Sequence, residues 1–364
     1  MRVLVVAGGT GGHVFPALAV AQRLREQGVE VHWLGTDRGL EARVTQSAGI
    51  ALTVLHGFQG VRGKGPLAWL SLPWRLTRAL SQTWALIRRL RPAAVLTFGG
   101  YVTVPAGLVA RLMSLPLLVH EQNAVMGSAN RLLSGWARVV ALSFSPTAGA
   151  PSTAVLTGNP VRAAIAALGG VRGSSAGRTG PLRILVVGGS LGAQALNRAL
   201  PGVLQRAAGS ISEGIAVWHQ SGADHAAETQ AAYDAVTSSA GLASVRVDAF
   251  VEDMAAAYAW ADLAICRAGA STVSELIEIG LPAVLVPLPS AIDDHQTANA
   301  QAMVGLGLAK MVSQRSDDFP EELLSALKGL NRGRLSEMAQ SAQPQFACDR
   351  FVSLVAPFLT EKSS

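Results

Sequence analysis

Arg2-Val-Leu-Val-Val-Ala-Gly-Gly-Thr-Gly-Gly12 recurs, nearly half a chain later, as Arg183-Ile-Leu-Val-Val-Gly-Gly-Ser-Leu-Gly-Ala193. Each copy is a β-branched and leucine run, then glycines, then a helical pattern, Phe15 to Gln27 in one and Ala193 to Ala207 in the other. That is the opening strand, turn and helix of a Rossmann-like unit, so the echo predicts two similar domains. Further apolar strands alternate with helical stretches. They are Glu30–Gly35, Ala51–Leu55, Ala94–Phe98, Leu117–His120 and Val139–Leu142 in the first half. Ile215–His219, Ser244–Val247, Leu263–Cys266, Ala283–Val286 and Ala309–Val312 follow in the second. Near-continuous apolar strands between helices predict parallel sheets covered on both faces, with ligands outside the carboxyl ends of the strands. The fold class is α/β, two Rossmann-like domains whose sheets would face a central cleft. Glycine and serine crowd residues 163–181, which reads as a linker between domains at 1–162 and 182–344.

Composition narrows the function classes. The 364 residues are 49% hydrophobic and 15% charged, too apolar for disorder. The longest uncharged apolar stretch, Pro92 to Ala110, is interrupted by Gly99, Gly100, Tyr101 and Pro105, which excludes a bilayer-spanning helix there. Cys266 and Cys348, the two cysteines, form no disulfide or zinc framework, and a reducing cytoplasm is the expected setting. Net charge is +6, and no Asp or Glu lies between Ala42 and His120 while nine Arg and Lys do. The first half therefore has a cationic face for an anionic partner: a phosphate, a nucleic acid or a lipid headgroup.

Several segments carry polar groups where an α/β fold places its ligands. Gly8-Gly-Thr-Gly-Gly-His13 lets backbone N–H groups approach an anion at a helix N-terminus. It is a poor dinucleotide fingerprint, since Val14 stands where the third glycine belongs. His13, among glycines at a helix start, is a candidate general base; that position favours the neutral ring. His120-Glu-Gln-Asn123 follows an apolar strand, where such residues bind a ligand or one another. Gly158-Asn-Pro-Val-Arg162 places a fixed cation before the linker. Arg267-Ala-Gly-Ala-Ser-Thr-Val-Ser-Glu275 opens another helix with small and hydroxyl residues suited to a second phosphate cradle. Asp293 to Asn299 offers Gln296 and Asn299 to sugar hydroxyls. The sequence contains no D-x-D, H-E-x-x-H, P-loop or G-x-S-x-G motif, so a diphosphate leaving group would rest on backbone amides and arginine.

These motifs, with Phe98-Gly-Gly-Tyr101 and Gly188-Gly-Ser190, occur in one order along the whole chain. In that order they closely resemble the MurG family, the bacterial N-acetylglucosaminyltransferases of peptidoglycan synthesis. The resemblance implies a GT-B fold, with a C-terminal helix, 345–364, crossing back onto the first domain. It implies inverting transfer of GlcNAc from UDP-GlcNAc to the 4-hydroxyl of undecaprenyl-diphospho-MurNAc-pentapeptide, lipid I becoming lipid II, with no cofactor or metal. Carried over by motif, the substrate-binding residues would be Thr10, Gly11, Gly12, Asn123, Arg162, Ser190, Val251, Ala270, Ser271, Thr272, Val273, Ser274, Glu275 and Gln296. Uracil would meet backbone near Val251, Glu275 would hold the ribose and Gln296 would read the GlcNAc hydroxyls. His13 is the first choice of base and Glu121 the second. The rival reading is a redox or non-catalytic nucleotide-binding protein. The implied setting is the cytoplasmic face of the inner membrane, as a peripheral protein contacting an anionic membrane surface. Partners in a cell-wall synthesis or division complex are implied too, and nucleic acid is not. Pro66 to Arg91 fits an interfacial amphipathic helix, with Trp69, Trp74 and Trp84 beside Leu76, Leu80 and Ile87, and with Arg75, Arg78 and Arg89 on another side. The same spacing also fits a helix packed on its own core.

Overall fold

The computed structural model describes residues 1–36, 40–57, 72–169, 178–189, 192–209, 211, 213–237, 242–340 and 345–360. Trp69, Ser190 and Leu191 lie outside them. The chain divides into two compact units, Met1–Arg162 with Gln345–Ser364, and Ala163–Pro344.

The N-terminal unit runs β1 (Arg2–Val6), α1 (Gly11–Glu26), β2 (Glu30–Gly35), α2 (Leu40–Ser47), β3 (Ala51–Val54), α3 (Leu72–Leu90) and β4 (Ala94–Thr97). It continues through α4 (Thr103–Leu112), β5 (Leu117–Glu121), α5 (Ser128–Ser134), β6 (Val139–Leu142) and β7 (Val155–Leu156). Its seven strands are ordered β3-β2-β1-β4-β5-β6-β7, all parallel. Alternation along β1 explains the layers. Val3 and Val5 pack in one core with Val14, Leu18 and Phe351. Leu4 and Val6 pack on the opposite face with Leu86, Ile87 and Val109.

The C-terminal unit begins with α6 (Ala163–Ala166), β8 (Leu182–Val187), α7 (Gln194–Ala208), β9 (Ile215–Gln220), α8 (Ala226–Thr237), β10 (Leu242–Asp248) and α9 (Met254–Trp260). Next come β11 (Leu263–Cys266), α10 (Ala270–Ile279), β12 (Ala283–Leu285), α11 (His295–Gly305), β13 (Ala309–Met311), α12 (Phe319–Leu327) and α13 (Arg332–Gln340). The strand order β10-β9-β8-β11-β12-β13 is again wholly parallel. The last helix, α14 (Ala347–Thr360), belongs to the N-terminal unit, where Phe351 and Val355 are fully buried. In both sheets the strand order reverses at the opening strand, between β1 and β4 and between β8 and β11. Those switch points open the crevices where such sheets bind ligands. The glycine loops stand there.

Two expectations change. The segment read as linker starts with α6, and Ile165 is buried in the C-terminal unit, so residues 163–166 belong to that unit. On α3 the apolar positions divide between two faces. Leu76, Leu80 and Ile87 join the core, while Trp74 is 75% exposed and Trp84 39%. At about 100° per residue, Trp74 projects with Arg78 and Arg89, opposite the leucines.

Candidate functional sites, one in each unit

In the N-terminal unit, Gly9 takes φ +96° after β1, a conformation that glycine adopts without strain. Thr10 then caps α1 in extended geometry. His13 is the third residue of that helix, and its Nδ1 lies 3.4 Å from the Thr10 hydroxyl. The first N–H groups of a helix have no intrahelical partner, so those of Gly11 and Gly12 point outward with the positive end of the dipole. The Arg162 guanidinium lies over the Phe15 ring, 4.9 Å from its centroid, and a Cβ on Gly11 would stand 2.9 Å from that ring. Thr10, Gly11, Gly12, His13 and Arg162 thus gather around one helix N-terminus.

Of the two expectations for the His120–Asn123 segment, the second describes Glu121, which is bound by Asn123 and by the loop that follows. Glu121 is 1% exposed. One carboxylate oxygen accepts the Asn123 N–H at 2.9 Å and its side-chain amide at 3.3 Å. The other accepts the Gly127 N–H at 3.0 Å and Asn130 Nδ2 at 2.8 Å. A carboxylate holding four donors organises its loop, and this geometry disfavours Glu121 as the base. His120 is fully buried between the rings of Phe98 and Phe351, each centroid 5.5 Å away. Burial pushes its pKa down to about 4 against the bond from Nε2 to the Gly158 carbonyl, so it is a neutral packing group.

In the C-terminal unit, Gly189 (φ +88°) and Gly192 (φ +76°) shape the loop after β8. A Cβ at Gly192 would collide with the Ser221 carbonyl oxygen. After β11, Gly269 caps α10 in extended geometry, leaving the N–H groups of Ala270, Ser271 and Thr272 at the helix start. The Ser271 hydroxyl is buried there with no hydrogen-bond partner among the described residues. The Val273 side chain is not open to a ligand. It is 0% exposed, the fourth residue of the helix, and its N–H donates to the Gly269 carbonyl at 3.0 Å. Ser274 is buried as well.

Glu275 is 6% exposed and accepts the Tyr258 hydroxyl at 2.9 Å. Gln296, near the start of α11, accepts the Leu288 N–H at 2.9 Å. Asn299 is wholly buried and donates to the Ala268 carbonyl at 3.2 Å. It braces the loop before α10 and does not face a sugar. Val251 is buried, so only its backbone can meet a base; it lines an open cleft of about 480 Å³ with Trp218, Arg246 and the exposed Phe250. The Arg246 guanidinium stacks 4.1 Å over Trp218, and Asp248 accepts from both. Ser190 lies outside the described residues. The roles of Glu41 and Gln122 escaped the sequence reading, because the glycine loops they hold, at Gly9 and Phe98, stand far away in the chain.

Among the described residues, no three His, Cys, Asp or Glu side chains cluster to hold a metal, and no helix is long and apolar enough to cross a membrane. The candidate site residues are backbone amides, hydroxyls, the Asn123 and Gln296 side-chain amides, the Arg162 guanidinium, one carboxylate and one imidazole. They suit an anionic nucleotide and a proton transfer.

Comparison with known proteins agrees with the fold. Residues 3–142 match the glycosyltransferase family 28 N-terminal domain, and residues 183–353 match its C-terminal domain. A protein of Alkalilimnicola ehrlichii named UDP-N-acetylglucosamine–N-acetylmuramyl-(pentapeptide) pyrophosphoryl-undecaprenol N-acetylglucosamine transferase is 51% identical over 348 residues, covering 94% of each chain. A protein of the same name from Marinobacter nauticus is 46% identical, covering 99% of this chain and 95% of its own. The crystal structure of Acinetobacter baumannii MurG superposes with a TM-score of 0.81 at 42% identity, over 98% of this chain and 99% of that one. The two switch-point loops, their positions in two parallel sheets and this end-to-end likeness place the chain in glycosyltransferase family 28, among the MurG proteins.

Proposed function

We propose that this protein is an inverting N-acetylglucosaminyltransferase. It moves GlcNAc from UDP-GlcNAc to the 4-hydroxyl of undecaprenyl-diphospho-MurNAc-pentapeptide, the reaction for which its relatives are named. The observation that carries the reading is the pair of amide-lined helix starts at the switch points of the two sheets, one with an imidazole at its third residue.

In the C-terminal unit the N–H groups of Ala270 to Thr272 and the Ser271 hydroxyl receive the donor diphosphate, with Ser190 assigned to the same ligand by motif. Glu275 takes the ribose, the Val251 backbone takes uracil and Gln296 takes the sugar. In the N-terminal unit Gly11 and Gly12 receive the acceptor's diphosphate, while Arg162 and Asn123, the latter held by Glu121, are assigned to the donor by motif. Transfer is a single displacement. The acceptor oxygen bonds to the anomeric carbon as the bond to the UDP oxygen breaks, His13 takes the hydroxyl proton, and backbone amides stabilise the departing charge. The test is transfer of radiolabelled GlcNAc to a lipid I analogue, with UDP-GalNAc and NADH oxidation as controls. Labelled disaccharide product from UDP-GlcNAc alone is expected; NADH turnover without sugar transfer would overturn the reading.

Removing the ribose contact should act on the donor. Glu275→Ala is expected to raise KM for UDP-GlcNAc about 10–150-fold, the equivalent of about 1.5–3 kcal/mol for a hydrogen bond to a charged group. Steady-state kinetics at saturating acceptor measures it, and an unchanged KM rejects the assignment.

The proposed setting is the cytoplasmic face of the bacterial inner membrane, as a peripheral protein. The outward face of α3 supports it, because Trp74, Arg78, Arg88 and Arg89 are exposed together. The neighbouring helices α4 and α5 expose Leu112 and Leu132, and Trp136 follows. Tryptophan suits the headgroup layer, and each basic residue near an anionic leaflet contributes about 1 kcal/mol. The triple variant Arg75→Glu, Arg78→Glu, Arg89→Glu should leave anionic vesicles in a flotation assay yet still glycosylate a short-chain soluble acceptor. Undiminished flotation places the membrane face elsewhere.

A further inference from the structure

The two glycine loops of the N-terminal unit touch backbone to backbone. Gly100 has φ +84°, and a Cβ there would stand 2.5 Å from the Gly8 carbonyl oxygen. Gly99 has φ +96°, and a Cβ there would stand 2.7 Å from Cδ2 and 2.9 Å from Nε2 of His13. The imidazole therefore rests on bare backbone of the loop after β4. Its position is set by where the two loops are held.

Each loop is held from behind by one buried polar side chain. Glu41, on α2, is 0% exposed. Its Oε1 accepts the Thr36 N–H at 2.8 Å and the Thr36 hydroxyl at 2.6 Å. Its Oε2 accepts the Gly9 N–H at 3.4 Å. Space is tight on this side too, since a Cβ at Gly8 would lie 2.9 Å from Oε1 and one at Gly35 2.7 Å from Cγ of Glu41. Gln122, after β5, is 1% exposed, and its Nε2 donates to the Phe98 carbonyl at 2.5 Å, one residue before Gly99. Neither side chain is open to a substrate. One fixes the loop that begins α1, and the other fixes the loop on which the His13 ring lies.

We infer that Glu41 and Gln122 are positioning residues which together set the His13 imidazole for proton transfer. This rests on His13 being the base in the proposed function. Glu41 acts as an internal acceptor for Gly9 and so fixes the turn from which the helix carrying His13 starts. Gln122 anchors the second loop against the first. Displacing the ring by about an ångström is enough to cost about 10²-fold in rate.

Glu41→Gln keeps the shape but sets an amide N–H against donors. Gln122→Met keeps the volume and removes the donor. In the full-length protein each is expected to lower kcat for GlcNAc transfer 10–100-fold, with Kd for UDP, titrated calorimetrically, within twofold of wild type. Thr36→Val, which removes one of the donors on Glu41, is the milder variant if Glu41→Gln does not fold. The deciding readout is a double-mutant cycle. In a His13→Ala background the same substitutions should change the residual rate less than twofold, because they act through that ring. Equal losses in both backgrounds, or kcat and UDP affinity lost together, overturn the inference. A wild-type rate in His13→Ala itself refutes the base assignment first, and the two failures are read apart.

Discussion

Replacing His13 with alanine lowers kcat by about 10²–10⁴-fold, the range for a lost general base, and leaves UDP-GlcNAc affinity within a factor of two. The size follows from the chemistry. A sugar hydroxyl is a weak nucleophile until its proton has somewhere to go, and the carboxylate nearest in sequence logic, Glu121, already accepts from Asn123, Gly127 and Asn130. The specificity for kcat follows from the fold, because His13 is in the N-terminal unit and the donor is assigned to the loops of the C-terminal unit. Single-turnover transfer with preloaded donor separates the two constants. Glu121→Gln gives the contrast. It should lose stability first, as a carboxylate serving four donors becomes an amide that cannot serve them all. If His13→Ala kept its full rate, the proton would have to leave to solvent or to another group.

Much of this was legible in the sequence, for an identifiable reason. Parallel strands buried on both faces must be apolar almost without interruption, so most strands could be read to within a residue or two. The switch-point turns require positive φ, and glycine marks them at Gly9, Gly189 and Gly192. Residues whose role depends on partners distant in sequence left no such mark. Glu41 meets Gly9 across 32 positions and Gln122 meets Phe98 across 24, so no local spacing shows either bond. Edge strand β7 is two exposed residues without alternation, and it went unread. Glu121, at the end of a strand, and Asn299, in the polar cluster that opens α11, were legible as polar residues but not as internally satisfied ones, since satisfaction is decided by tertiary neighbours. On α3, periodicity showed an apolar helix while leaving open which residues faced inward. The sheet beneath takes the leucines, and Trp74 remains outside with Arg78 and Arg89.

Acid should weaken the protein through two buried histidines, and His219 gives the cleaner measurement. Asn197 donates its Nδ2–H to the Ser221 carbonyl at 2.9 Å, so its Oδ1 is an acceptor. His219 Nε2 must therefore carry the hydrogen, and Nδ1 accepts from the Tyr233 hydroxyl, each contact being 3.0 Å. The site holds one neutral tautomer, and burial pushes the ring's pKa down to about 3, against about 4 for His120. In the unfolded chain both rings titrate near 6.5. Between pH 6.5 and these folded values the unfolded state binds protons that the native state refuses. Stability is thus fully present above pH 6.5, falls through that window, and levels off below about 4 for His120 and about 3 for His219. By pH 4.5 each histidine accounts for a loss of about 2–3 kcal/mol. In urea unfolding at pH 7 and 4.5, His219→Gln should show about that much less acid sensitivity than wild type; an identical difference between the two pH values would reject the mechanism. The consequence reaches the loop proposed to hold the donor, because Ser221, held by Asn197, is the backbone against which Gly192 is pressed. Acid that charges His219 therefore loosens the support of Gly192, and UDP affinity is expected to fall before the C-terminal unit unfolds.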